Sequence, residues 1–452
     1  MANGLIGRVS RGHLVVTGMA LLLIGPTNHD PWVSVGSVAI GTVLLAWGIF
    51  STTLPGITGT EVAVAGFWGL LIIFGILGRP FGVFPLSQGE TPLVGTLLAA
   101  AAASVALLLS ARRRARLAVV ALALMGAVVI MGTMISQEWE QDLGSDVYHA
   151  HRAAGAALDR GENPYGPAVR FFDGNPFHPG DAVIEGYPYP PVVLATFGLS
   201  SILTDPRVIS TIALFVFLGW LSWRVVRPAT ETSENLALSM LLLFAVTPLA
   251  ADVWYMAWSE PLTLALFLGA FLTWKRPWIG GILLGLALAS KQYLLFLAPL
   301  ILLHRDDGWV RRASVAISTA TATLAVPLVA DPPGFIVSLI GNTSDIGFRP
   351  DTLSLSGVAA ALGFELTLPV LVWIPLGLLI GGVIARGSDS VADFAGRAGL
   401  TLAAVFLIGM AFPNYWFLIS GLLAIGIALA QEDGVRDEPQ PQSKMRARLS
   451  QA

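Results

Sequence analysis

The sequence has no cysteine and few charged residues, and both features narrow the possible functions. Among its 452 residues there is no cysteine, which excludes disulfides, thiolate metal ligands and cysteine nucleophiles. Only 12% of the residues are charged and 55% are hydrophobic, whereas soluble domains average about 25% charged residues. The 26 Lys and Arg do not exceed the 29 Asp and Glu, so the excess of positive charge that favours nucleic-acid binding is missing. The composition predicts a polytopic protein embedded in a lipid bilayer, with no nucleic-acid partner.

Apolar runs that are long enough to cross a membrane recur along most of the chain. A spanning helix needs about 20 mostly apolar residues, and the sequence predicts an all-α transmembrane bundle of about 14 such helices. The predicted spans are 13–28, 32–50, 61–78, 92–110, 117–135, 207–223, 236–251, 260–274, 277–290, 292–304, 313–330, 367–385, 397–412 and 416–430. Three of them, between 260 and 304, are short for a complete crossing.

The basic residues predict one orientation of this bundle. If the N-terminus is cytoplasmic, most of the 26 Lys and Arg residues fall at the predicted cytoplasmic ends of the spans, as the positive-inside rule requires. Both termini of this multi-pass cell-membrane protein are then cytoplasmic, and two long segments, 136–206 and 331–366, are external loops. We divide the chain into four N-terminal spans of unknown role (1–116), a membrane core (117–430) and a polar cytoplasmic tail (431–452).

The first external loop contains a short predicted helix with an acidic start. Apolar residues recur at helical spacing in SDVYHAHRAAGAALDRGENPYG, residues 145–166, and Gly161 is expected to end this helix. Asp146 lies in its first turn, where the helix dipole favours a carboxylate, so its ordinary explanation is helix stabilisation. His149 and Arg152 follow on the same face at steps of three residues.

A second apolar helix is predicted later in the same loop, at 186–203. If 207–223 is the true span, this second helix cannot also cross without inverting every later span. We therefore expect both helices of the loop to lie at the outer membrane interface.

These motifs resemble those of the type C glycosyltransferase superfamily, integral membrane enzymes that use lipid-phosphate-linked sugars. Within it they resemble the polyprenyl-phosphate-mannose-dependent α-mannosyltransferase family, over about residues 117–430. The matching residues are Asp146, Tyr148, Ala153–Ala157, Gly161, Pro164, Tyr165, Tyr189, Pro190 and Pro191. A lysine in LLGLALASKQYLLFLAPLILLHR, 283–305, is also similar, whereas AWSEPL at 257–262 departs from the Gly-Gln-x-Asn-like turn of many members.

The resemblance implies a fold like that of the superfamily. It also implies that a sugar, for which mannose is the first candidate, is transferred from a polyprenyl-phosphate donor with inversion of configuration. The acceptor would be a glycolipid or glycan at the external face. Such a transfer needs one general base for the acceptor hydroxyl, and Asp146 takes this role by resemblance. The leaving phosphate needs cationic partners, for which Lys291 and Arg349 are the candidates. Lys291 could also be a lysine that extends to the interface, and Arg349 could pair with a neighbouring Asp of its loop.

Further residues on the predicted external side are candidates for substrate binding. They are Tyr148, His149, Arg152, Tyr165, Tyr189, Glu260 and Tyr415. Aromatic residues at this depth are more often part of the interfacial belt, and Glu260 is more often a helix-start carboxylate. No cofactor and no metal are expected. The loop does contain an acidic cluster whose carboxylate oxygens are ligands that hard cations prefer: Glu138, Glu140, Asp142 and Asp146.

Three other functions remain open from the sequence. One is a pentosyl, for example arabinofuranosyl, transferase of the same superfamily, and another is a non-catalytic scaffold. The third is a polytopic lipid or sugar transporter, which the number of spans would suit. Charged residues gather at the predicted external ends and hardly occur within spans, and this favours chemistry on a membrane-borne substrate over transport.

Overall fold

The computed structural model describes residues 146–172, 183–228, 248–341, 352–363, 390–409 and 411–436, with short helical pieces within 17–44, 120–128 and 237–245. The helices are α1 Asp146–Asp159, α2 Pro191–Leu203, α3 Arg207–Val226, α4 Pro248–Tyr255, α5 Glu260–Leu272, α6 Pro277–Leu288, α7 Ala298–Leu303, α8 Trp309–Ala330, α9 Pro332–Ile336, α10 Leu355–Ala361, α11 Val391–Ile408 and α12 Pro413–Arg436. A 3₁₀ segment, Gln292–Leu297, precedes α7, and π-helical turns lie within α2 and directly after α9. The predicted spans 61–78, 92–110 and 367–385 lie outside the described residues.

Three of the described helices are long and apolar enough to cross a membrane. They are α3, α8 and the first 18 residues of α12, Pro413–Ala430. They correspond to the predicted spans 207–223, 313–330 and 416–430. The described part of the chain is therefore that of a mainly helical membrane protein, and the count of about 14 spans stays a prediction.

The apolar runs between 260 and 304 form helices too short to cross a bilayer on their own. Helix α5 has 13 residues and α6 has 12, so each is roughly 20 Å long against a hydrocarbon core of about 30 Å. The backbone between α6 and the 3₁₀ segment is extended at Lys291, with φ −148° and ψ 135°. The structure therefore breaks the helix at the lysine that the sequence singled out.

The centre of the bundle is packed through small residues and buried apolar side chains. A Cβ at Gly421 of α12 would lie 2.4 Å from Leu264 of α5, and one at Gly426 would lie 2.7 Å from the backbone nitrogen of Gly396 in α11. Such close approach is the common way in which membrane helices pack. In contrast, α8 leaves apolar side chains such as Ile317, Val326 and Val329 exposed, as expected for a lipid-facing helix.

The first loop is folded against the bundle, and its helix ends as predicted. Helix α1 stops at Asp159, and Gly161 follows with φ 71°, a conformation that favours glycine. At Gly155 the backbone of α1 touches α2, because a Cβ there would lie 2.7 Å from the Cβ of Ser201.

The all-α prediction is incomplete in this loop. Residues Arg170–Phe172 (β1) and Val183–Glu185 (β2) form an antiparallel two-stranded ribbon in which Phe171 pairs with Ile184. Its aromatic and β-branched residues suit a strand. Segments of only three residues show too little alternation to reveal a strand in the sequence.

The first and second loops are clamped together by hydrogen bonds. Ser338 donates to the carbonyl oxygen of Tyr165 at 2.9 Å, and Asn163 donates to Oδ2 of Asp331 at 2.6 Å. The buried rings of Tyr165 and Phe335 meet edge to face, with centroids 4.9 Å apart. The clamp fixes the position of α1 relative to the ends of α8 and α9.

At the opposite ends of the central helices, a compact ionic cluster joins three turns. Asp306 accepts hydrogen bonds from Trp274 Nε1, at 2.6 Å, and from Arg312, whose guanidinium also donates to the Trp274 carbonyl oxygen. His304 Nε2 lies 3.3 Å from Asp306. This cluster lies on the predicted cytoplasmic side.

Candidate functional site

Glu260 is the centre of a buried polar group at the predicted external ends of the helices. It is the first residue of α5 and has no exposed surface. Its Oε1 lies 3.0 Å from Lys291 Nζ and accepts hydrogen bonds from Asn414 Nδ2 at 2.8 Å and Tyr293 OH at 3.2 Å. Within the part of the chain that the structure describes, no group donates to its Oε2. Among the described residues, one oxygen of the carboxylate thus has three donors and the other has none.

Lys291 forms an ion pair in this group and also contacts an aromatic ring. Its side chain is 4% exposed, and its Nζ lies 4.4 Å from the ring centroid of Tyr189. A cation over the face of a tyrosine ring is attracted by the ring quadrupole. The ion pair and the ring together offset the cost of burying the ammonium group.

Asp146 and Tyr189 connect the first loop to this group. Burial raises the pKa of Tyr189 well above its usual value, and the charges of Asp146 and then Glu260 raise the pKa further. The charges of both carboxylates therefore act on the Tyr189 hydroxyl. Asp146 remains partly exposed, and its Oδ1 accepts a hydrogen bond from the backbone N–H of Val147 at 2.7 Å. The position of Asp146 at the start of the helix is confirmed, and its role at the site stays a prediction.

An aromatic wall of three rings stands beside the buried carboxylate. The rings of Phe406 and Tyr415 are stacked with centroids 4.4 Å apart, and Tyr293 meets both at 4.8 and 4.9 Å. The Tyr293 and Tyr415 side chains are partly exposed. Aromatic faces next to carboxylate and amide groups form a surface that is suited to a polar ligand with apolar C–H faces.

His151 is a residue of the site that the sequence analysis missed. It is fully buried, and its Nε2 lies 3.1 Å from the carbonyl oxygen of Ala257. Because a carbonyl only accepts, Nε2 carries the hydrogen, and Nδ1 accepts from Tyr187 OH at 2.7 Å. Ala257 has φ 56°, an uncommon conformation for a residue with a side chain. The histidine thus ties α1 to the strained turn that precedes Glu260.

The buried histidine gives the protein a predictable sensitivity to acid. Burial first, and then the charge of Lys291, lower the pKa of His151 to about 3. Between about 3 and its usual value of about 6.5 the unfolded chain binds a proton that the folded chain does not, so stability falls as the pH falls through this range.

We expect the His151→Gln variant to lose less thermal stability than the native protein between pH 6.5 and pH 4.5, since an amide can bridge Ala257 and Tyr187 without titrating. The measurement is the unfolding temperature in detergent as a function of pH. His149→Gln, on a partly exposed position of the same helix, should keep the native decline. Equal declines in all three proteins would show that His151 does not control acid stability.

Several residues predicted for the site make other contacts. Arg152 is exposed and donates to the carbonyl oxygens of Ser201 and Thr204 at the end of α2, at 3.1 and 3.3 Å. Tyr165 donates to the carbonyl oxygen of Tyr189 at 3.1 Å, so it holds the backbone of Tyr189 in place. Arg349 lies outside the described residues.

Tyr148 and His149 lie beside Asp146 next to a second missed residue, Arg207. Its guanidinium binds both carboxylate oxygens of Asp205, at 3.0 and 2.9 Å, and lies 5.3 Å from the centroid of the Tyr148 ring. Tyr148 OH donates to Asp205 at 3.3 Å, and the His149 ring meets the Tyr148 ring edge to face. Burial alone would raise the pKa of Asp205, but the hydrogen bonds from Arg207 lower it below its usual value. The sequence feature that could have indicated Arg207 is its position as a charged residue at the predicted external start of the span 207–223.

The acidic cluster of the first loop lies mostly outside the described residues. Glu138, Glu140 and Asp142 lie outside the described residues. No three His, Asp or Glu side chains converge in a way that could hold a metal ion among the residues that the structure does describe. The expectation of a metal-independent protein stays a prediction.

Comparison with known proteins gives one match. The model of glycosyltransferase family 87 matches residues 187–427, slightly more than half of the chain. No curated protein and no solved structure matches the chain. The matched range includes Tyr189, Glu260, Lys291 and Tyr415 and begins after Asp146 and His151.

Proposed function

Because the chain belongs to glycosyltransferase family 87, we propose that it transfers a sugar, with mannose as the first candidate, from a polyprenyl-phosphate donor. The acceptor is a glycolipid or glycan at the external face of the cell membrane. The observation that carries this proposal is the buried Glu260–Lys291 pair against the ring of Tyr189, within the range that the family model matches, with the charge of Asp146 also acting on that ring. In this proposal Asp146 supplies the base and Lys291 the cation that act on the same membrane-borne substrate.

In the proposed reaction Asp146 is the general base. Its carboxylate takes the proton of the acceptor hydroxyl while the hydroxyl oxygen attacks the anomeric carbon. The bond between that carbon and the phosphate oxygen breaks, and the phosphate leaves with the electron pair. No general acid is needed, because the leaving group is a stable anion. A single displacement of this kind inverts the configuration at the anomeric carbon.

Lys291 is the proposed partner of the donor phosphate. Its ammonium already lies among polar groups and offers further N–H donors beyond the one directed at Glu260. Positive charge placed where a leaving group gains negative charge stabilises the transition state. Arg349 of the second loop is a second candidate for the same task.

The test is transfer of labelled mannose from polyprenyl-phosphate-mannose in vesicles that contain the protein. A labelled glycolipid or glycan product, absent from vesicles without the protein, supports the proposal. A lipid-linked pentose is assayed in parallel, and transfer of the pentose alone would identify a pentosyltransferase. Movement of the lipid-linked sugar across the bilayer with no product would instead indicate a transporter.

A further inference from the structure

The hydrogen bonds of the Glu260 carboxylate are unevenly divided between its two oxygens. Its Oε1 has three donors, from Lys291, Tyr293 and Asn414, whereas its Oε2 has none among the described residues, and the side chain is entirely buried. A buried carboxylate oxygen without a donor is costly. The cost is offset when a ligand supplies the donor.

The surroundings of the carboxylate indicate what kind of ligand would do so. Through Oε1 it adjoins Tyr293, a member of the aromatic wall with Phe406 and Tyr415, and the ammonium of Lys291, which lies over the Tyr189 ring. A sugar ring presents hydroxyl donors along its edge and C–H groups on its face. Hydroxyls suit the free oxygen, and the C–H face suits an aromatic ring. A phosphate would be repelled by the carboxylate and suits only the ammonium group.

We propose that Oε2 of Glu260 accepts a hydrogen bond from one hydroxyl of the transferred sugar, so that Glu260 determines which sugar the protein uses. This inference rests on the proposed function. The three donors on Oε1 hold the carboxylate in one orientation, so Tyr293 and Asn414 are positioning residues. Because the carboxylate is covered, the proposal requires side chains around it to move when the sugar binds.

Glu260→Gln tests the inference, because the three hydrogen-bond donors to Oε1 fix the orientation of the new amide. In Glu260→Gln the amide oxygen must occupy the Oε1 position, where Lys291, Tyr293 and Asn414 donate. The amide nitrogen is then fixed at the Oε2 position. The substitution keeps the size of the side chain and changes one charged acceptor into a neutral donor. Glu185→Gln is the matched control, since Glu185 is exposed on the ribbon strand β2.

The experiment pairs each protein with a set of donors that lack one sugar hydroxyl each. A hydrogen bond between a charged group and a hydroxyl gives a loss of about 10- to 100-fold when the hydroxyl is removed. We expect this loss in kcat/KM for one deoxy donor with the native protein and with Glu185→Gln. With Glu260→Gln we expect removal of the same hydroxyl to lower kcat/KM by only about threefold or less. The difference between the losses in the two proteins is the coupling that a double-mutant cycle measures. Losses of equal size in the native protein and in Glu260→Gln, or no loss for any deoxy donor, would overturn the inference.

Binding of the same short-chain donors, followed by calorimetry in detergent, separates this inference from the proposed function. If the protein binds the deoxy donors with affinities that differ in a Glu260-dependent way but transfers no sugar, the hydroxyl contact is supported and the transferase function is overturned. If it transfers sugar but Glu260 has no effect on which hydroxyl matters, the transferase function is supported and the hydroxyl contact is overturned. A protein that binds no sugar donor would overturn both. Elution of the variant as a single species with a cooperative unfolding transition shows that it is folded, even where the loss of the buried charge lowers its unfolding temperature.

Discussion

Replacement of Asp146 by Asn or Ala is expected to lower the rate of sugar transfer by about 10²- to 10⁴-fold, the usual contribution of a general base. The carboxylate is partly exposed at the start of α1, so an acceptor hydroxyl can approach it. Asn keeps the size and the polar character of the side chain but cannot take up the proton. The loss should therefore appear in kcat, with little change in the KM for the donor.

The measurement is the initial rate of transfer in vesicles with equal amounts of folded protein. Asp159→Asn is the matched control, because Asp159 is the exposed last residue of the same helix, and its rate should equal that of the native protein. Loss of the favourable helix dipole interaction at Asp146 costs only about 0.3–1 kcal/mol, so the variants should remain folded. Nearly native rates in both Asp146 variants would leave Asp146 as a helix-stabilising residue and would make Glu260 the next candidate for the base.

The second large effect concerns the buried ion pair. Lys291→Met should lower the free energy of unfolding by about 3–5 kcal/mol, because the Glu260 charge is then left buried and uncompensated. The double variant Lys291→Met, Glu260→Leu should recover most of this loss, since replacing both members of a buried pair by apolar residues is often neutral. Without the ammonium group, however, neither variant should transfer sugar efficiently.

Denaturant unfolding in detergent and donor KM, measured on the same samples, test both parts. Lys275→Met is the control, because Lys275 is exposed at the opposite ends of the helices and should change stability by no more than about 0.5 kcal/mol. Native stability of Lys291→Met would contradict a buried pair. A fully active double variant would mean that another residue binds the donor phosphate.

The parts of this structure that the sequence predicted are those governed by local pattern. The helical spacing of α1, its end at Gly161 and the break at Lys291 depend on neighbours a few residues away. The two strands of the ribbon were missed because Arg170–Phe172 and Val183–Glu185 are too short to show a period. For local structure, the length of the segment decided whether it could be predicted.

The arrangement of the site depends on packing between distant segments, and the sequence could indicate its members but not their contacts. Glu260 and Asn414 are 154 residues apart, and nothing local to either predicts the hydrogen bond. His151 lies among alanines on the buried side of α1, where a histidine reads as a core residue. Arg152, its neighbour, looked more like a ligand-binding residue because it is charged, yet it is bound to the end of α2. The charge of a residue in the sequence therefore indicated membership of the candidate site less well than its burial in the fold.

The clamp between the first and second loops determines when the site can form during biosynthesis. The bonds Asn163–Asp331 and Tyr165–Ser338 join residues 168 and 173 positions apart. At about 5–20 residues per second, the ribosome needs roughly 10–30 s after making α1 before it has made the residues that the clamp joins to the first loop. Asn414 and Tyr415, at the start of α12, come later still. The nascent protein therefore completes α1 and α2 well before the segments that clamp the first loop, and it acquires a complete site only when the last described helix is in place.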